Sequence, residues 1–169
     1  MTSLLIDQKK QSKPWLGMNH WRVLLVLAVM AAGALGIWGA VRQADGEMRQ
    51  ELLIQTRLVA QVLNLDHLKG LTGTEDDLAL PGYQKLKSQL ELIKQANDKC
   101  RFVYLMGRQA DGTLFFLVDS EPAGSKDYSP PGQVYDEASE ELRHVFDTRA
   151  GFVEGPISDR WGLWVSGLV

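Results

Sequence analysis

Hydrophobic and polar positions divide the chain into three textures. From Val23 to Val41 the sequence reads VLLVLAVMAAGALGIWGAV, without a charge or a proline. These 19 residues make roughly 28 Å of helix, enough to cross a hydrocarbon core of about 30 Å. Beyond Val41, Met48, Leu52, Val59 and Val62 recur at helical spacing, widened by Leu58, Leu63 and Leu65. This predicts one helix over residues 42–69, ending at Gly70. Thr74-Glu75-Asp76-Asp77 offers an N-cap and acids for a short turn. Pro81 and Gly82 open a second helix to about Ala96, with Tyr83, Leu86, Leu90 and Ile93 along one side.

The period changes at Arg101. RFVYLMG (101–107) and TLFFLVDS (113–120) are strand-like runs separated by a loop containing Asp111-Gly112, a hairpin signal. Both runs are apolar on both faces, so their sheet must be covered twice, once by the long helix and once by another element. Residues 121–133, rich in proline and glycine, read as a covering loop. A helix is expected from about Tyr135 to Phe146. Residues 151–157 and 163–169 then form a second strand pair, turning through Ser158-Asp159-Arg160-Trp161-Gly162. The expected fold class is α+β, an antiparallel sheet with helices on both faces. The last strand ends at Val169 with no turn or cap after it, which suggests a domain missing at least one strand.

Charge orients this arrangement. Up to Val41 the net charge is +3, from Lys9, Lys10, Lys13 and Arg22 against Asp7; the remainder carries −6. The positive-inside tendency places residues 1–22 as a short cytoplasmic tail and residues 42–169 outside the inner (plasma) membrane. Trp21 and Trp38 sit near the two ends of the span, at interfacial positions. A cleaved signal peptide is the rival reading, but its apolar region is usually about 7–15 residues after a short basic start. An acidic body argues against nucleic acid as a partner, because phosphate neutralisation needs clustered positive charge. Cys100 is the single cysteine, so neither an internal disulfide nor a multi-thiolate zinc site can form. It is expected to begin a strand as a small buried residue.

The segments RFVYLMGRQADGTLFFLVDSEP, DYSPPGQVYDEAS and VEGPISDRWGLWVSGLV, in this order after a membrane helix, resemble the extracytoplasmic PAS-like sensor domains called Cache (or PDC) domains. They look most like the N-termini of membrane sensor histidine kinases. The resemblance covers roughly residues 42–169. It implies a small-molecule ligand held between sheet and covering loop, no covalent chemistry, and a signal passed through the juxtamembrane helix. It also implies a further strand, usually a second membrane helix, and a cytoplasmic output module. A diguanylate cyclase or a chemoreceptor is the alternative parent, and a homodimer is expected through the wide apolar stripe of helix 42–69.

Within that frame, pairing the first hairpin through residues 108–113 puts Tyr104 and Met106 on one face with Phe115, Leu117 and Asp119. An acid on an apolar face needs a partner: a cation, an amine or a structural arginine, unless it caps the turn at Ser120. Tyr128, Tyr135, Trp161 and Trp164 are candidate pocket walls, where aromatic faces can hold an apolar group or an ammonium. Arg160 could clamp a carboxylate or sit solvated in its turn. Ser166 is a candidate donor from the last strand. Ser139–His144 (SEELRH) lacks the order of a phospho-accepting kinase helix. GxGxxG, Walker A, HExxH and GxSxG patterns are absent, and Asp76-Asp77 reads as a cap, so neither a cofactor nor a metal is expected. A membrane-tethered interaction domain, its cavity filled by its own side chains, is the alternative of a different class.

Overall fold

The computed structural model describes residues 20–169, so the 1–22 tail lies almost wholly outside the described residues. The described chain is α+β. It begins with helix α1 (His20–Val62), 43 residues long and apolar enough at its N-terminal end to cross a membrane. Residues 20–46 and 47–169 are separate compact units. In the first unit the apolar side chains stand exposed along the helix, Leu24 at 64% and Ile37 at 69%. In water that exposure would be costly, whereas in hydrocarbon it is not.

The second unit contains the end of α1, α2 (Pro81–Gln95), β1 (Tyr104–Arg108), β2 (Leu114–Asp119), α3 (Glu140–Thr148), β3 (Phe152–Asp159) and β4 (Gly162–Leu168). Helix α1 stops earlier than Gly70. The Asn64 side chain accepts the Asp66 amide at 3.0 Å and starts a separate 3-10 turn, Leu65–Leu68. A second 3-10 turn, Glu75–Ala79, precedes α2, but the Thr74 side chain does not cap it. Its Asp77 instead turns back into the preceding loop. The buried carboxylate accepts the Thr72 amide at 2.9 Å, the Gly73 amide at 2.7 Å and the Thr72 hydroxyl at 3.0 Å.

The strands make two separate antiparallel hairpins where the hydrophobic pattern suggests one sheet. In the first, Tyr104 pairs with Asp119 and Leu105 with Val118, but Met106 pairs with Phe116. Leu117 is therefore an extra bulged residue, and every side chain on the β2 segment before it changes face. One face carries Tyr104, Met106, Leu114 and Phe116. The other carries Leu105, Val118 and Phe115, the last packed against Gly107 and Gly73, where a Cβ would collide with its ring. The expected grouping of Met106 with Phe115 and Leu117 is corrected on this account.

Both faces of this hairpin are covered. On the Val118 side, Tyr83, Leu86 and Leu90 of α2 are fully buried with Leu63, and Val59 packs beside them. Helix α2 supplies most of that cover, the long helix only its last turn. On the other side, Leu114 packs with Leu142 and Val145 of α3 and Leu168 of β4. Four or more such buried side chains on each side, at up to about 1.5–3 kcal/mol apiece, dominate the unit's favourable energy. Helix α3 starts at Glu140 and not near Tyr135. The Tyr135 amide donates to the Leu114 carbonyl at 2.9 Å, holding residues 133–135 beside β2, and the Ser139 hydroxyl accepts the Leu142 amide at 2.9 Å as N-cap. Cys100 lies four residues before β1, half-buried, with its thiol bonded to the Phe102 carbonyl at 3.4 Å.

The second hairpin pairs Glu154 with Ser166 and Ile157 with Trp164, its ladder interrupted at Gly155-Pro156, where proline has no amide to donate. Alternation along β4 sends Trp164, Ser166 and Leu168 to one face and Gly167 to the other. The Gly167 face receives α1. Thr56 and Leu52 pack so closely that a Cβ at Gly167 would overlap the Thr56 hydroxyl. Arg49 completes the joint, its guanidinium donating to the Gly155 carbonyl at 2.7 Å.

Candidate functional site

The two hairpins meet face to face in a cluster of rings. Tyr104 and Phe116 come from the first hairpin, Phe102 from the chain before it, Tyr135 from the segment beside β2, and Trp161 and Trp164 from the second hairpin. Phe116 is the hub. Its centroid lies 5.3 Å from Tyr104, 5.7 Å from Tyr135 and 5.9 Å from Trp161, each edge to face. Phe102 stands edge-on to Trp164 at 5.1 Å. Such pairs are worth about 0.5–1.5 kcal/mol each beyond area burial. Phe116 is buried, while the other five rings are half-buried, so the cluster has a solvent-facing side.

Carboxylates organise these rings. Asp159 Oδ1 accepts the Trp161 amide at 2.8 Å, the Gly162 amide at 3.2 Å and the Trp164 indole N–H at 2.9 Å. Its Oδ2 accepts the Tyr135 hydroxyl at 3.3 Å. The local reason is the tight β3–β4 turn, which leaves two amides pointing inward for a short acidic side chain to collect. Glu154, on the same face as Trp164 and Ser166, accepts the Ser139 hydroxyl. Burial, with Asp159, Glu154 and Asp119 nearby, pushes the Tyr104 phenol up to about 12, even though Ser166 hydrogen-bonds to it. Burial and Asp159 raise Tyr135 as well. Both phenols are therefore neutral donors at physiological pH.

Of the candidates read from the sequence, Tyr104, Tyr135, Trp161, Trp164 and Ser166 come together here. Asp119 and Tyr128 serve elsewhere, and Arg160 lies at the edge of the cluster, its guanidinium 4.9 Å from the Trp161 ring centroid. Asp119 is buried at the end of β2, where Oδ2 accepts the Ser129 amide at 2.9 Å and Oδ1 the Glu121 amide at 3.1 Å. Desolvation raises its pKa, against the lowering effect of those two amides. It ties down the covering loop, the turn-capping role. Tyr128 is in that loop, its hydroxyl 3.2 Å from that of Tyr83 and its ring 5.0 Å from the Lys87 ammonium. Lys87 in turn donates to the Asp119 carbonyl at 2.9 Å, and buried Glu121 pairs with Lys94 and with Arg101. While stacked on Trp161, the Arg160 guanidinium donates to Asp136 at 2.7 Å and to Glu137 at 3.2 Å.

Sequence reasoning overlooked Asp159, Glu154, Phe102 and Phe116. Asp159 was legible as a turn acid two and three residues before the amides it binds. Phe116 was hidden by the bulge, which alone decides its face. Two surface hollows of about 370 Å³ lie elsewhere, one along His67, Gln84 and Gln89 and one between α3 and the start of β3. Among the described residues no group of three or more His, Cys, Asp or Glu side chains is placed to hold a metal ion. No family model matches the chain, and no curated protein or solved structure matches it.

Proposed function

We propose that the chain is the ligand-sensing region of a transmembrane signal-transduction receptor, a Cache-like domain held outside the inner membrane by Val23–Val41, as at the N-terminus of a sensor histidine kinase. The observation that carries this reading is the position of the second hairpin. One face of β4 supplies Trp164 and Ser166 to the ring cluster, and the opposite face takes Thr56, Leu52 and Arg49 of α1 against Gly167 and Gly155. A small molecule that displaces the half-buried rings moves a two-stranded element with little freedom except against that helix. An aromatic wall edged by Asp159, Glu154 and two neutral phenols suits a small ligand with an apolar or cationic body and a polar end. Parent proteins with a cyclase or chemoreceptor output fit the same geometry. Dimerisation through α1 is part of the proposal, because Ile54, Leu58 and Val62 lie on the side away from the domain and are 56%, 55% and 71% exposed.

A second reading, a membrane-tethered interaction domain with a self-filled interior, is favoured by Asp159, whose oxygens already hold four donors. Thermal shift on the full chain in nanodiscs, against amines, amino acids and carboxylates, separates the two. A ligand present at 100 times its Kd stabilises by about 2.7 kcal/mol, and Trp161→Ala should abolish the shift. If no compound in that library shifts the melting temperature, the second reading replaces the first.

A further inference from the structure

Each end of the apolar run carries a tryptophan with an arginine laid on it. The Arg22 guanidinium is 5.5 Å from the Trp21 ring centroid, and that of Arg42 is 5.1 Å from the Trp38 ring. Both tryptophans are 60% exposed, so neither ring is held by a neighbouring element. At about 1.5 Å per residue, Trp21 and Trp38 are roughly 26 Å apart along α1, and Arg22 and Arg42 roughly 30 Å. A hydrocarbon core is about 30 Å thick, with phosphates just beyond it. Indoles partition to that boundary, and a stacked guanidinium keeps its planar fork of donors at the level of the ring, matched to phosphate oxygens.

Arg42 also stands against the charge rule. It is a cation at the outer end of the span, the side on which positive charge is usually sparse, and Asp45 and Glu47 follow it three and five residues on. Topology gives it no purpose there, whereas phosphate binding does. We infer that Trp38–Arg42 and Trp21–Arg22 are two lipid-phosphate clamps that fix how deep α1 sits in the bilayer. The inference rests on the membrane-spanning reading and adds to it a lipid partner and the residues that grip it.

The test uses the full chain carrying Cys100→Ser, reconstituted in phosphatidylcholine/phosphatidylglycerol vesicles. Single cysteines replace Ala40 or Ala44 and are reacted with a membrane-impermeant maleimide. With the native flanks, Ala40→Cys is protected and Ala44→Cys reacts. Adding Trp38→Ala and Arg42→Ala should let the helix slip inward by about one turn, roughly 5 Å, and cut labelling at Ala44→Cys several-fold. Galactolipid vesicles, which lack phosphate, should give the same loss with the native pair. Unchanged labelling in the double variant overturns the clamp, and unchanged labelling in galactolipid overturns the phosphate assignment. Full labelling at both positions, with the chain failing to float with vesicles, overturns the membrane reading itself.

Discussion

Replacing Asp159 by alanine removes the acceptor of four hydrogen bonds at once. Three of them, from the Trp161 and Gly162 amides and the Trp164 indole, converge on Oδ1 at 2.8–3.2 Å, and the Tyr135 hydroxyl reaches Oδ2 at 3.3 Å. A bond to an ionised acceptor contributes about 1.5–3 kcal/mol, and a buried donor left unpaired costs about 1–3 kcal/mol. The surrounding residues are half-buried, so water recovers part of the loss, and the expected cost of Asp159→Ala is about 3 kcal/mol. Asp159→Asn is the informative companion. Its amide oxygen can still take the three donors on the Oδ1 side, while its NH2 can donate to a Tyr135 hydroxyl that turns round. That variant should lose only about 1 kcal/mol, chiefly the charge on the acceptor. For a unit of this size 1 kcal/mol corresponds to roughly 3–5 °C in Tm, so alanine should lower Tm by about 10–15 °C and asparagine by a third of that. Urea unfolding followed by tryptophan fluorescence measures both. Equal losses for the two variants, or a loss below about 1 kcal/mol for alanine, would refute the claim that this carboxylate organises the cluster.

Other expectations follow from the same packing. Gly167→Ala should destabilise by about 1–3 kcal/mol through overlap with Thr56, and Thr56→Ala should restore most of that in the double variant, as read by a thermal-melt cycle. Desolvation alone would raise the pKa of Asp77, but the Thr72 and Gly73 amides outweigh it and hold the carboxyl below its ordinary value of 3.8. Its stabilisation is therefore complete at neutral pH and fades as pH falls below about 4. Asp77→Asn should cost about 2 kcal/mol at pH 7, because an NH2 then faces an amide donor, and should flatten the acid limb of the stability curve. Leu58→Cys in a Cys100→Ser background should cross-link between copies in membranes under mild oxidation, while a cysteine at Thr56, on the face packed against β4, should not.

Helices and hairpins were legible in the chain because each rests on a local signal. The uncharged run marked the apolar part of α1, Pro81 opened α2, and Tyr83, Leu86 and Leu90 at helical spacing marked its buried side. The turn residues Ser158–Gly162 placed the second hairpin to within two residues of its strand ends. What escaped depended on longer-range hydrogen bonding. Tyr135 has residues on either side that suit a helix, yet its amide is taken by Leu114, and the helix waits for Ser139. The bulge at Leu117 has no signature in an all-apolar strand, so the faces of Phe115 and Phe116 could not be assigned. Asp119 and Arg160 looked like ligand contacts because their partners, the Ser129 amide and the Asp136-Glu137 pair, are distant in sequence. The candidate site was thus half legible. Its aromatic residues were visible by type, and the acid that gathers them was passed over as part of a turn.

Topology provides the most direct measurement of the central claim. Alkaline phosphatase fused after Val169 should be active in bacterial cells, a green fluorescent protein fused at the same point should be dark, and the fusion should stay with membranes through carbonate extraction. A bright, soluble fluorescent fusion beside an inactive phosphatase would place the acidic α+β unit inside the cell and contradict an outward-facing receptor.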